Sequence, residues 1–202
     1  MRGKVVLDFG CGSGENSLVL ARRGARVIGF DISESLLRLA ERRMALNGMQ
    51  GQATFLAASA HELPIASGSI DVVVGIAILH HLDLAIVSRE TRRVLAPGGR
   101  AIFQEPVRNS RMLRALRALI PYRHSDVSPY ERPLTDGELQ AFGSAFRSCR
   151  ARAFRLPHVQ VATAVPALRK LVHPCCLVDG MLLRMMPRLS ALAGVRVFEL
   201  TS

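Results

Sequence analysis

The 202-residue sequence has no tryptophan, two tyrosines, two lysines among its 27 basic residues, and four cysteines without a C-x-x-C spacing. Each shortage excludes something. With aromatics at 5% of the chain, there is little to stack on nucleic-acid bases, which argues against a nucleic-acid partner. The cysteines are Cys11, Cys149 and the adjacent pair Cys175–Cys176, which lack metal-chelating spacing. They read as reduced thiols of a cytoplasmic protein, with no metal. No apolar run approaches the roughly 20 residues of a membrane span; the nearest stretch, Val72 to Leu82, counts eleven. Met-Arg-Gly-Lys and the short apolar run after it are too brief for a signal peptide. No Gly-Lys-Ser/Thr completes a phosphate loop, and there are no internal repeats or low-complexity segments.

What is present fits one globular domain: 49% hydrophobic and 21% charged residues over 202 positions. The net charge of +11 is uneven, with residues 1–99 holding 11 basic and 9 acidic groups and residues 100–202 holding 16 and 7. Any anionic partner therefore belongs to the second half.

Strand and helix patterns alternate from the start. Lys4–Phe9 reads as a first strand, Ser17–Arg23 as a helix and Ala25–Phe30 as a second strand closed by Asp31. Ser33 is placed to cap a helix over Glu34–Leu46, with Asn47–Gly48 as its stop. Ala53–Ala57 and the almost wholly apolar Ile70–Ile78 follow as strands. Asp83 caps a helix that runs to the turn signal Ala96-Pro97-Gly98-Gly99, and Arg100–Gln104 is a fifth strand. Such alternation predicts a parallel sheet wrapped by helices.

Arg108–Pro133 breaks the rhythm as a basic, proline-punctuated insertion. The pattern then predicts a helix over Thr135–Phe146 with a Thr135/Glu138 capping box, and a strand over Cys149–Leu156. His158–Val165 fits strand or helix. A Met/Leu-rich helix is expected over Leu177–Ala193, packed on the sheet or, as the alternative, forming a lipid groove, and a last strand over Val195–Leu200.

The loop Gly10-Cys11-Gly12-Ser13-Gly14 joins the first strand to a helix, where backbone must approach a ligand closely. Glu15 stands where a dinucleotide fingerprint needs its third glycine. Asp31 can accept both hydroxyls of a ribose. Asp8, Asp31 and Glu105 close the first, second and fifth strands, and His80–His81 follow the fourth. In a parallel sheet these positions share one edge, where ligands bind.

Val6-Leu7-Asp8-Phe9-Gly10-Cys11-Gly12-Ser13-Gly14 and Val27-Ile28-Gly29-Phe30-Asp31-Ile32-Ser33 resemble class I S-adenosylmethionine-dependent methyltransferases. Leu63-Pro64, Ser69-Ile70-Asp71-Val72-Val73, Leu79-His80-His81-Leu82 and Arg93-Val94-Leu95-Ala96-Pro97-Gly98-Gly99 extend the resemblance, in order, through about residue 106. The subgroup resembled methylates small molecules such as quinone precursors, polyketides, sterols and lipids.

The resemblance implies a Rossmann-like α/β fold. It has a mostly parallel seven-stranded sheet, helices on both faces, an antiparallel last strand and a lid insertion after strand five. It implies one domain over 1–202: a cofactor half (1–106), a lid and acceptor insertion (107–134) and a C-terminal half (135–202). It implies that Gly10, Cys11, Gly12 and Gly14 hold the methionine part of S-adenosyl-L-methionine, with Asp8 near its amino group. Asp31 would take the ribose, with Ile32 on the adenine and Ile76 completing the wall. Ser59–Ala60 stands where the family usually carries Asp then Ala; a hydroxyl there still accepts the adenine amino group's bond, without charge assistance. The family commonly places helices before the first strand to cover the cofactor. Here that cover is expected from residues 108–133, from a partner chain or not at all, unless the start lies upstream.

Methyl transfer needs alignment, water exclusion and, for hydroxyl or acidic-carbon acceptors, a base. The candidates are His80, His81 and Glu105, whose alternative role is to shape the cofactor pocket. Tyr122, His124, Asp126 and Tyr130 are acceptor-pocket or plain loop residues. Arg108, Arg111, Arg114 and Arg117 recur as the basic face of an amphipathic helix, read as a solvated lid face, as a surface for anionic membrane or an acidic, greasy substrate, or as an RNA contact. The leading expectation is O- or C-methylation of a small hydrophobic acceptor. An RNA methyltransferase and a non-catalytic methyltransferase-like subunit are the alternatives, and a homodimer is allowed.

Overall fold

The computed structural model describes residues 1–108 and 133–202. Its core is one seven-stranded sheet: β1 (Val5–Phe9), β2 (Arg26–Asp31), β3 (Ala53–Ala57), β4 (Ile70–Ile76), β5 (Leu95–Pro106), β6 (Ser148–Phe154) and β7 (Val195–Thr201). The spatial order is β3-β2-β1-β4-β5-β7-β6. β1 to β5 run parallel, and β7 lies antiparallel between β5 and β6. The sequence order reverses direction on either side of β1, so a crevice opens at the carboxyl ends of β1 and β4.

The helices are α1 (Glu15–Arg22), α2 (Glu34–Leu46), α3 (Leu84–Val94), α4 (Asp136–Gly143), α5 (Pro157–Ala164) and α6 (Val172–Met185). Local chemistry sets several boundaries. Ser33 Oγ accepts from Leu36 N at the start of α2, and Asp83 accepts from Ala85 N and Ile86 N at the start of α3. Thr135 and Glu138 form the expected capping box of α4.

Two apolar clusters lie on opposite faces of the sheet, as the period-2 alternation of β1 requires. Val6 and Val27 pack with Leu18, Leu20, Ala21 and Met44 of α1 and α2. Leu7, Phe9, Phe103 and Phe198 pack with Val87 of α3 and with Leu139 and Phe142 of α4. The second cluster includes edge-to-face rings, such as Phe9 on Phe30 at 4.7 Å.

Two expectations are corrected and one left open is settled. The turn Ala96–Gly99 does not end a helix in free loop; it lies inside β5. Ile70 pairs with Leu95 and Val72 with Arg100, so four residues bulge out, with Gly98 at φ 72°. The ambiguous 158–165 stretch is helix α5, opened by Pro157 at its first turn.

The second correction concerns the Met/Leu-rich helix, which begins at Val172 and ends at Met185 rather than spanning Leu177–Ala193. Pro187 lacks the amide to continue it and forces Met186 out of helical backbone, at φ −130° and ψ 75°. Nor is it a sheet-packing helix, since Asp179 is its one buried residue. No helix among the described residues is long and apolar enough to cross a membrane.

Candidate active site

β1 delivers the chain into the glycine loop at the carboxyl edge. Gly10 has φ 71°, and a Cβ there would lie 2.7 Å from Ile78 Cγ1, so glycine is required by both backbone and space. Gly12, at φ 51°, faces open space; its glycine leaves the loop bare toward the crevice. Cys11 N donates to Phe30 O at 2.8 Å, tying the loop to β2. The Cys11 thiol is buried, and that burial, with the charges of Asp8 and Asp31, pushes it up to about 12.

Asp31, at the end of β2, is held from two sides. Gly12 N donates to Oδ2 at 3.0 Å and Ser33 N to Oδ1 at 2.9 Å. Each oxygen keeps a lone pair for a further donor, so the carboxylate is preset to receive two hydroxyls. Ile32 beside it is 82% exposed, an apolar side chain left bare next to that carboxylate. Ile76, at the end of β4, is also exposed. Ala60 turns its methyl into the core, so only its backbone can meet a ligand.

Two further candidates are bonded to neighbouring side chains. Asp8 is buried and accepts from Ser17 Oγ at 2.5 Å. Burial pushes its carboxyl above the ordinary range, against the lowering effect of Ser17. Ser59 Oγ accepts from His61 N at 3.2 Å and lies 3.2 Å from His61 Nδ1, while Asp83 N donates to His61 Nε2 at 3.3 Å. With Nε2 accepting, Nδ1 carries the proton and donates to Ser59. Ser17 and His61 went unread because a lone serine or histidine carries no motif of its own; only the fold brings each to its partner.

The third group is built on β5. Glu105 is fully buried, and its Oε1 accepts from Ile78 N and Leu79 N at 2.8 Å each. Its Oε2 lies 2.8 Å from His80 Nδ1. The carboxylate therefore shapes the loop after β4 and holds one histidine. A carboxylate only accepts, so His80 Nδ1 is the donor, and in the neutral ring that tautomer leaves Nε2 as the acceptor. The His81 ring lies 4.1 Å from that of His80.

The structure thus joins Gly10, Gly12, Asp31, Ile32 and Ile76 along one edge with His80 and Glu105. Tyr122, His124, Asp126, Tyr130 and the Arg111–Arg117 face lie outside the described residues. No group of three or more potential metal ligands occurs among the described residues.

Comparison with known proteins agrees with this geometry. The family described as methyltransferase domain matches residues 7–103. Methyltransferase GfsG of Streptomyces halstedii is 41% identical over 107 residues, which are 52% of this chain and 38% of that protein. The ubiquinone biosynthesis O-methyltransferase of Pseudomonas paraeruginosa is 37% identical over 112 residues, 54% of this chain and 47% of that protein. The matched stretch is thus less than half of either relative. Among solved structures, geranyl diphosphate C-methyltransferase from Streptomyces coelicolor A3(2), with S-adenosyl-L-homocysteine bound, superposes with a TM-score of 0.66. The identity is 15%, over 98% of this chain and 72% of that one, a likeness of fold. The methyltransferase-domain match over residues 7–103 falls on β1 to β5 and the loops that carry this site, and over that stretch, just under half of its length, the chain is similar to S-adenosylmethionine-dependent methyltransferases.

Proposed function

We propose that the chain transfers a methyl group to a hydroxyl of a small, apolar acceptor, with His80 as general base and Glu105 as the residue that positions it. The carrying observation is the Glu105 carboxylate, buried and bonded to Ile78 N, Leu79 N and His80 Nδ1. The likeness to ubiquinone O-methyltransferases supports the acceptor class.

The glycine loop and Asp31 fit S-adenosylmethionine: bare backbone at Gly12, a doubly braced carboxylate for the ribose, and exposed Ile32 and Ile76 for the adenine side. Bound there, the cofactor supplies an activated methyl for in-line displacement. Asp31 and the loop fix its position, and Ser59 offers a hydroxyl at the adenine end. His80 Nε2 accepts the proton as the acceptor oxygen bonds to carbon. Glu105 meanwhile keeps Nδ1 protonated and stabilises the imidazolium that results.

The test is steady-state kinetics on a panel of phenolic and catecholic acceptors. His80→Ala is expected to lower kcat by about a hundredfold or more, with the cofactor KM little changed. Glu105→Gln places a donor beside Nδ1, which turns the proton onto Nε2 and removes the base, so a similar loss is expected. Undiminished activity in His80→Ala refutes the assignment.

A further inference from the structure

The stretch between β6 and β7, residues 155–194, holds five basic side chains and one acidic, Asp179. Asp179 is turned inward, accepting from Arg155 N at 3.0 Å and Leu156 N at 2.8 Å. The exposed formal charges of the stretch are therefore all positive: Arg155, Arg169, Lys170, Arg184 and Arg188.

Helix α6 is inverted relative to an ordinary surface helix. Leu177, Val178, Met181 and Met185 are 64, 45, 59 and 77% exposed, and they fall within roughly a third of the helix circumference, opposite Asp179. Met186, just past the helix, and Val161 on α5 are exposed as well. A bare apolar stripe rimmed by one sign of charge marks an interaction surface.

Its chemistry selects the occupant. A second copy docked face to face would bring two rims of positive charge together. An anionic bilayer meets both features at once, with phosphates at the rim and acyl chains under flexible methionines. The placement is suited to this: Phe154 pairs with Val195, which pairs with Pro106, so the stretch rises from the sheet edge that carries Glu105 and the glycine loop.

We infer that the exposed face of α6, with its basic rim, docks the protein on an anionic lipid surface. This goes beyond the methyl-transfer reading and fails separately from it.

The test is cosedimentation of the full chain with phosphatidylcholine vesicles, with and without phosphatidylglycerol. Binding is expected only with the anionic lipid, and it weakens several-fold as salt rises. Met181→Asp/Met185→Asp is expected to weaken it about tenfold or more, and Arg184→Glu/Arg188→Glu to weaken it too. Unchanged melting temperatures show that the variants are folded. No vesicle binding, equal binding to neutral vesicles, or full binding by the Met181→Asp/Met185→Asp variant overturns the inference. So does a wild-type dimer that this variant splits, which would assign the face to a second copy.

Discussion

At the scale of single residues, burial sets the chemistry beside the glycine loop. Asp8 is held above its ordinary 3.8 because burial outweighs the hydroxyl of Ser17. The folded chain therefore binds this proton more tightly than the unfolded chain. Its contribution favours folding at low pH and is lost as pH rises from about 3.8 through the raised folded value. Asp8→Asn keeps a carbonyl for Ser17 and removes the charge. Its melting temperature relative to wild type is expected to climb with pH over that window and then level off, read from melts at a series of pH values.

Cys11, pushed up to about 12, stays a thiol at pH 8 and is shielded besides. Brief iodoacetamide treatment is expected to label exposed Cys176 well before Cys11, with the sites read by mass spectrometry.

At the scale of elements, Asp179 is the hinge pin of the excursion between β6 and β7. It alone satisfies the amides of Arg155 and Leu156 where β6 gives way to α5. Asp179→Ala leaves both without that acceptor and is expected to cost about 2–3 kcal/mol in urea unfolding. Asp179→Asn, with one carbonyl retained, is expected to cost less.

The same element shows what a sequence can and cannot reveal. Boundaries set by neighbours in the chain were readable: Ser33 before α2, Asp83 before α3, and Thr135 with Glu138 at α4. The faces of α6 were not, because its apolar residues suit a buried helix equally well and only the fold decides which side meets the sheet. The bulge in β5 was hidden for a similar reason. Ala96–Gly99 has turn chemistry whether or not the strand resumes its pairing beyond it.

At the scale of the whole molecule, the alternation of strand and helix and the shared edge of Asp31, His80 and Glu105 were legible in the motifs, whereas the strand order came only with the fold. The division of labour at that edge was not legible there. Sequence position makes Glu105 a candidate base; its complete burial, with three donors around it, makes it the support of His80. The charge of +11 also narrows in meaning. Its excess lies in residues 100–202, and in the described part of that half the 155–194 stretch gathers basic groups around an apolar face.

The claim on which the rest depends is that the crevice at the ends of β1 and β2 binds S-adenosylmethionine through the glycine loop and Asp31. Isothermal titration with S-adenosylhomocysteine addresses it directly. The expected result is one site per chain, weakened about tenfold to a hundredfold in Asp31→Ala. Absence of binding by the folded protein, or binding that Asp31→Ala leaves intact, would contradict it.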